Sequence, residues 1–461
     1  MAEPQELATD VVVVGGGLAG VCAATEAADH GADVVLLERQ PALGGSTVLS
    51  GGFVALADTP MQRRRGITDS ADLLYDDLRT VGEERNDERL VRRYADSQAL
   101  LYDWLTSRGV TFDAVELSAG QSVARSHHTD TPTLIRTLTE RAVAAGVTVT
   151  TDAPVLRLLR AEANGRVEGV LASIDGTETR VMARRGVVLA AGGFCHGDEM
   201  LETFAPRQAR ALRIGGAGNT GTGLRMAWAL GADMRDMGYV KGTFGTHPSA
   251  ASDKHEILLA FYLGAVIVNR EGRRFVDESL SYKTLGDACL DQTDALCYQV
   301  FDQTVMDASS PGVPLFDLEA LLGRGLVVTA DTWADLGAAI DVDGATLGES
   351  VERYNRAVAA GVDTEFGRDG LCHHAGELVP LTRPPFYAFP STTAMLATYC
   401  GLRITPDTEV LDVFGEPIEG LYAAGEITGG LHGTAYMTGS SLGKSAVFGR
   451  IAGTRAAGAK A

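Results

Sequence analysis

The run Asp10-Val-Val-Val-Val-Gly-Gly-Gly-Leu-Ala-Gly20 constrains this chain more than any other stretch. Four consecutive β-branched valines suit a strand buried on both faces of a parallel sheet. Gly15, Gly17 and Gly20 then set out G-x-G-x-x-G, followed by an apolar, alanine-rich run at helical spacing from Leu18 to Ala28. In such a turn the first glycine permits the tight bend, the second lets a pyrophosphate approach, and the third allows close helix–strand packing. Phosphate oxygens rest at the helix N-terminus, where unpaired N–H groups and the helix dipole favour negative charge. Gly31 is placed to end the helix, and a second apolar strand, Val34 to Leu37, closes at Glu38. An acid there can accept from a ribose 2′-hydroxyl. A lone glycine motif says little; strand, glycines, helix, strand and acid together specify a Rossmann-like dinucleotide site in an α/β chain.

At 461 residues the chain has room for two domains, or for one large domain carrying an insertion. A net charge of −20 argues against a nucleic-acid partner, which calls for a basic face. Met1 to Thr9 has neither a basic n-region nor an apolar h-region, and the apolar runs fall short of a membrane span. Six cysteines, at 22, 195, 289, 297, 372 and 400, show no C-x-x-C spacing. That pattern disfavours structural zinc, iron–sulfur clusters and covalent c-type haem, and suits free thiols in a cytoplasmic protein.

Directly after Glu38 comes a second glycine-rich loop, Pro41-Ala-Leu-Gly-Gly-Ser46-Thr-Val-Leu-Ser50-Gly-Gly52. Backbone of this kind lets amides pass close to a flat ligand. A nicotinamide site does not call for such a loop here, and it points to FAD. Residues 69 to 109 read as helices, as do Thr133 to Gly146, Leu224 to Leu230, Thr332 to Ile340 and Leu347 to Ala360. Val155 to Leu159 and Val167 to Ser173 read as a hairpin turning at Asn164-Gly165. Gly186-Val-Val-Leu-Ala-Ala-Gly-Gly-Phe194 and Gly420-Leu-Tyr-Ala-Ala-Gly425-Glu426 are further apolar strands ending in small residues. Asn269 to Glu278 reads as strand, turn and strand continuation, and Ser445 to Ala456 as a helix opened by Gly439-Ser440-Ser441-Leu442-Gly443-Lys444. Between about Ser249 and Ala375 glycine loops thin out and charge rises. The expected division is therefore 1–248 and 376–461 for a non-contiguous FAD-binding domain, with 249–375 as an inserted α+β capping domain. His127-His128 and His373-His374 are expected to be solvated or capping, and Arg63-Arg-Arg65 a solvated loop.

These segments, in this order, resemble the flavoprotein family of fumarate reductases, succinate dehydrogenase flavoprotein subunits and 3-ketosteroid dehydrogenases. The match runs along nearly the whole chain, through Val14 to Gly20, Gly44-Gly-Ser46, Ala190-Ala-Gly-Gly193, Gly218-Asn-Thr-Gly221, Asn269-Arg-Glu-Gly-Arg-Arg-Phe275 and Ala424-Gly-Glu-Ile-Thr-Gly429. The resemblance implies an active site between the FAD domain and the cap. It implies that Glu38 holds the adenosine ribose, Glu426 the ribityl chain, and the Ser441 and Leu442 amides the flavin pyrimidine oxygen. The remaining expected cofactor positions are Gly15, Gly17, Leu18, Ala19, Gly20, Arg39, Gly44, Gly45, Ser46, Gly51, Gly52, Val155, Ala191, Gly192, Asn219, Gly425 and Ser440. Where membrane-bound members tether FAD through a histidine, this chain has Gly45, so FAD should be non-covalent.

The departures bear on the substrate. Fumarate reductases clamp a dicarboxylate with two arginines, and the matching positions here are Tyr282 and Tyr436, in Ser281-Tyr-Lys283 and His432-Gly-Thr-Ala-Tyr436. Without those arginines a small dicarboxylate lacks bidentate charge neutralisation. Two tyrosines in these places look like the 3-ketosteroid dehydrogenases instead, and Tyr436-Met-Thr438 resembles the Tyr-x-Ser of the 4-dehydrogenase branch. The chemistry this implies is desaturation of a hydrophobic ketone next to its carbonyl. Tyr282 takes the α-proton, and Tyr436 donates to the carbonyl oxygen with Thr438 or a backbone N–H near Ser440 in support. His247 is either a pocket wall or a structural histidine, Tyr399 and Cys400 line the cavity or belong to the core, and no metal is called for. A packed aromatic with its hydroxyl at the surface is the competing description of either tyrosine. The competing activity is reduction of a conjugated enone or enoate. Oxygen, a quinone or a separate carrier all remain open as electron acceptor.

Overall fold

The computed structural model describes residues 5–162, 165–250, 256–313, 315–371, 374 and 376–459. The chain divides into two compact units. One comprises Met1–Ala205, Gly215–Val240 and Leu396–Ala461; the other comprises Pro206–Ile214 and Lys241–Met395.

The valine run becomes the strand Gln5–Val14, with Val11, Val12 and Val13 fully buried. It pairs in parallel with Val34–Leu37 on one side and with Thr177–Leu189 on the other. Thr148–Thr150 and Pro417–Ala423 extend the sheet in parallel at either flank. The register sets Val14 opposite Leu189, and Leu189 opposite Ala423. Three strands therefore end on one edge, and three small-residue turns follow at once: Gly15–Gly17, Ala190–Gly193 and Ala424–Gly425. In an open parallel sheet that carboxyl edge is where ligands bind. The expected hairpin is present, Val155–Arg160 against Val167–Ile174. Asn164 of its expected turn lies outside the described residues, as does His373.

The helix Leu18–Asp29 packs on the C-terminal helix Ser440–Ala456, and the sequence of each explains the close crossing. A Cβ on Gly449 would stand 2.4 Å from the Ala19 carbonyl oxygen, and one on Gly453 would stand 2.2 Å from that of Ala23. Only glycine lets these backbones meet. The C-terminal helix starts at Ser440, five residues ahead of the expected Ser445, because Gly439 caps it at φ +85° and the two serines occupy its first turn.

In the second unit a mostly antiparallel sheet is organised around Phe386–Met395, which pairs antiparallel with Cys297–Asp302, Val328–Ala330 and Thr243–Thr246 and in parallel with Leu212–Arg213. Its core gathers Val266, Val300, Phe301, Tyr354 and Phe389. Three local expectations are corrected. The strand Val266–Asn269 does not resume after its turn, since Arg274 is drawn inward to Glu278 and Asp363 and only an isolated bridge joins Val268 and Arg274. His127 is fully buried rather than solvated, held between Thr59 Oγ1 at 2.7 Å and the Arg125 carbonyl at 2.8 Å. Arg63 and Arg64 end the short helix Pro60–Arg64 instead of forming a loop.

Candidate active site

The glycine turn shows which of its members serve the fold and which leave room for a ligand. A Cβ on Gly20 would fall 1.8 Å from the Gly15 carbonyl oxygen, and Gly15 itself is at φ +106°. Both are required by the strand–helix turn. Gly17 differs: it caps the helix at φ −74°, and a Cβ there would meet no heavy atom closer than 3.9 Å. The same holds for Gly45, whose nearest neighbour would be Gly17 Cα at 3.9 Å. Two facing glycines with empty space above them form a cradle that side chains would fill. Glu38, 7% exposed, accepts from Gly16 N at 2.7 Å and from Gln40 N at 2.8 Å, and each carboxylate oxygen keeps a lone pair for a hydroxyl. These residues fit the adenosine ribose and pyrophosphate of FAD.

Further along the same edge, residues from four parts of the chain converge. Ser46 Oγ accepts from Gly216 N at 3.0 Å and from Asn219 Nδ2 at 2.9 Å. Asn219 Nδ2 also donates to Glu426 Oε2 at 2.9 Å, and Thr398 N donates to Glu426 Oε1 at 3.0 Å. Burial holds the Glu426 carboxyl above its ordinary range, against the pull of Thr398, Lys444 and Asn219. Gly192 and Gly193 are needed here, since a Cβ on the first would lie 2.1 Å from Asn219 Oδ1 and on the second 2.3 Å from Glu426 Oε1. Gly425, at φ +83°, passes over Ala19. Arg39 reaches Thr220 Oγ1 at 2.7 Å, which ties the second glycine loop to the segment around Asn219. Gly44 and Gly52 take positive φ, Gly51 sits beside the Phe53 ring, and Ala191 follows the strand end on the same edge. Val155 is buried at the start of the hairpin strand.

The segment before the C-terminal helix places Tyr436, Thr438 and Ser440 on the first unit. Gly439 N donates to Tyr436 Oη at 3.1 Å. Burial raises the Tyr436 phenol above its ordinary value, and contacts with Gly439 and Ser441 partly offset this. Its ring lies 4.8 Å from that of Tyr399 and 5.4 Å from that of His432. Tyr399 takes φ +60°, a conformation that costs a non-glycine residue about 1 kcal/mol or more and recurs at functional sites. Ser440 is fully buried, its Oγ donating to the Met437 carbonyl at 2.6 Å and lying 3.0 Å from His432 Nε2. The Thr438 backbone is fixed at both ends: its N donates to the Ala119 carbonyl at 3.0 Å, and its carbonyl accepts from Gln121 Nε2 at 2.9 Å. Ser441 and Leu442 lie in the first turn of the helix, where N–H groups have no carbonyl partner within the helix.

Tyr282 and His247 stand on the second unit. Tyr282 is the first residue of the helix Tyr282–Leu290, capped by Ser281, and its N–H donates to Tyr262 Oη at 3.1 Å. The side chain is 9% exposed. His247 is half-buried against Phe389, ring centroids 5.4 Å apart. Its Nδ1 accepts from Ser249 N at 3.2 Å, and burial lowers its affinity for a proton.

Sequence reasoning missed several residues. Thr47 Oγ1 accepts from Leu18 N at 3.2 Å, and Thr398 supports Glu426; both are ordinary threonines whose role only tertiary contact reveals. Lys444, 2% exposed, donates to the Thr428 carbonyl at 2.5 Å, and burial brings it down to about 8. A lysine among the glycines and serines of a helix start was a signal that went unused. Lys283, beside Tyr282, was another. Among the described residues no cluster of histidine, cysteine or acidic side chains suits a metal ion, and no helix is long and apolar enough to cross a membrane.

A family model described as an FAD binding domain matches residues 10–442. The fumarate reductase (cytochrome) of Shewanella frigidimarina is 32% identical over 459 residues, covering 97% of this chain and 77% of that protein. The urocanate reductase of Eggerthella lenta is 33% identical over 472 residues, covering 98% and 76% respectively. Among solved structures, the 3-ketosteroid Δ4-(5α)-dehydrogenase of Rhodococcus jostii RHA1, in complex with 4-androstene-3,17-dione, superposes with a TM-score of 0.79 at 29% identity, over 99% of this chain and 98% of that one. With the dinucleotide cradle intact and such relatives aligned along almost its whole length, the chain belongs to the FAD-binding flavoprotein family of the fumarate reductases, oxidoreductases that act across a carbon–carbon bond.

Proposed function

We propose that this enzyme dehydrogenates a ketone between its α- and β-carbons, on a cyclic or 3-ketosteroid-like substrate. The observation that carries the proposal is the pair of phenols, Tyr282 and Tyr436, at the positions where a dicarboxylate-reducing relative is expected to carry guanidinium groups. The described neighbours of Tyr436 include the rings of Tyr399 and His432, the Gly439 N–H and Ser441, surroundings that suit an uncharged, ring-shaped substrate.

FAD, when bound, takes up the hydride that leaves the β-carbon. Tyr282, in the first turn of the helix Tyr282–Leu290, receives the α-proton at Oη. Tyr436 donates to the ketone oxygen as enolate character develops. The Gly439 N–H on its own oxygen makes it a better donor at that moment. Gln121 and Ala119, by holding the Thr438 backbone, keep the segment that presents Tyr436 in one conformation.

Tyr282→Phe should leave the FAD spectrum intact and abolish turnover, by about 100-fold or more for loss of a general base. A rate within twofold of the parent would remove Tyr282 from the chemistry. A second direction is supported by the names of two relatives, which are reductases of fumarate and urocanate. The same groups run in reverse would protonate the α-carbon of an enone or enoate.

A further inference from the structure

Lys283 follows Tyr282 directly and has no part in the chemistry above. Its side chain is 2% exposed, which is rare for lysine because an ammonium is costly to remove from water. Nζ donates to Thr243 Oγ1 at 2.7 Å and lies 5.5 Å from the centroid of the Tyr282 ring, within cation–π range. Asp287, one turn further along the helix, is engaged elsewhere: its carboxylate is held by Lys241 and accepts from Gln208 Nε2 at 2.8 Å. Among the described residues, other charged groups near this helix meet its later turns, and Arg207 also lies 3.9 Å from the Asp287 carboxylate. Arg207 pairs with Asp291, Arg210 donates to the Leu290 carbonyl, and Asp294 pairs with Arg270. Tyr262 meets the Tyr282 backbone N–H. Burial brings Lys283 down to about 7, against the opposing field of Asp287.

We propose that Lys283 is a positioning residue that shares its titrating proton with Tyr282, so that the two act as one base available at neutral pH. This rests on Tyr282 being the group that takes the α-proton. A phenol by itself ordinarily titrates near 10, which leaves only about one part in a thousand as phenolate at neutral pH. A coupled pair behaves differently. When the ammonium–phenol pair loses one proton, amine–phenol and ammonium–phenolate are two tautomers of the same state. The second is the base. On turnover the substrate Cα–H bond breaks and the Tyr282 O–H bond forms, which returns the pair to ammonium–phenol. The electron pair left on carbon closes the C=C bond as the β-hydride departs to FAD. One proton then leaves to solvent before the next cycle.

The test needs no substrate. FAD-loaded enzyme carrying 13C at the tyrosine Cζ is titrated by NMR, and the Tyr282 resonance is identified by its loss in Tyr282→Phe. In the parent this resonance should respond with an inflection near neutral pH. In Lys283→Met that inflection should rise by at least about one pH unit, and in Lys283→Arg, where a fixed cation is restored, it should fall below the value for Met. The same inflection in parent and Met variant overturns the proposal. Should Lys283→Met fail to load FAD, Thr243→Val removes the hydroxyl that accepts from Nζ, disfavours the ammonium and should lower the inflection; no movement there overturns it equally. A shift in the titration with unchanged turnover in Tyr282→Phe would uphold the pair while refuting Tyr282 as base.

Discussion

Gly17→Ala separates the fold from the cofactor site. A Cβ at Gly17 meets nothing closer than 3.9 Å, and the residue sits at φ −74°, so alanine adopts the native backbone without strain. Two small terms act on the apo-protein. Alanine is a poorer helix N-cap than glycine by roughly 0.5–1 kcal/mol. It also restricts the unfolded chain, which stabilises by about 0.4–1 kcal/mol. They nearly cancel, so apo-protein stability should change by less than about 1 kcal/mol. The methyl group does, however, enter the space through which a pyrophosphate reaches the helix N-terminus. Overpacking costs typically about 1–3 kcal/mol, equivalent to a roughly 5- to 150-fold weaker FAD affinity. Gly20→Ala is the contrast, because its Cβ would lie 1.8 Å from a backbone oxygen and must damage the fold itself. Thermal melts of both apo-proteins, with FAD titration followed by flavin fluorescence, make the comparison. Parent-like FAD affinity in Gly17→Ala, or a loss of apo stability as large as that of Gly20→Ala, would refute the assignment of this space to the cofactor.

Two further predictions concern buried charge. Arg274 pairs with Glu278 at 2.7 Å and with Asp363 at 2.8 Å, all three almost wholly buried, and Arg368 lies 3.5 Å from Glu278. Arg274→Met leaves Asp363 without its paired cation and Glu278 with Arg368 alone, and should lower stability by about 3–5 kcal/mol in urea unfolding; a loss under about 1 kcal/mol would mean the acids find other partners. For His127, burial lowers the folded-state value from 6.5 to about 4. The unfolded chain therefore binds more protons between those limits, so stability is full above pH 6.5 and falls as pH drops toward 4, by up to about 3 kcal/mol. His127→Gln should remove that part of the slope, and an unchanged slope would assign it to other groups.

The FAD half of the molecule was legible because each of its devices is local in sequence: a valine strand, a glycine turn, a helix and an acid within residues 10 to 38. Residues that act through long-range contact were not. Thr398 reaches Glu426 across 28 residues and Gln121 reaches Thr438 across 317, and neither carries a local pattern. The buried state of His127 was misjudged for the same reason, since Tyr102 and Phe112, whose rings lie 6.1 and 5.7 Å from its own, come from separate segments. The early start of the C-terminal helix was hidden because Ser440 and Ser441 read as loop, although small polar residues beside a positive-φ glycine are what a helix N-terminus accepts. Tyr282 and Tyr436 were singled out by alignment of motif, and their surroundings in each unit were not foreseeable from spacing.

The most direct test of the proposed chemistry is anaerobic mixing of the FAD-loaded enzyme with 5α-androstane-3,17-dione and with simple cyclic ketones. Bleaching of the flavin absorbance, with a conjugated enone recovered from the mixture, is the expected result. No bleaching by any ketone, together with rapid reoxidation of pre-reduced enzyme by fumarate or urocanate, would contradict ketone dehydrogenation and assign the site to enoate reduction.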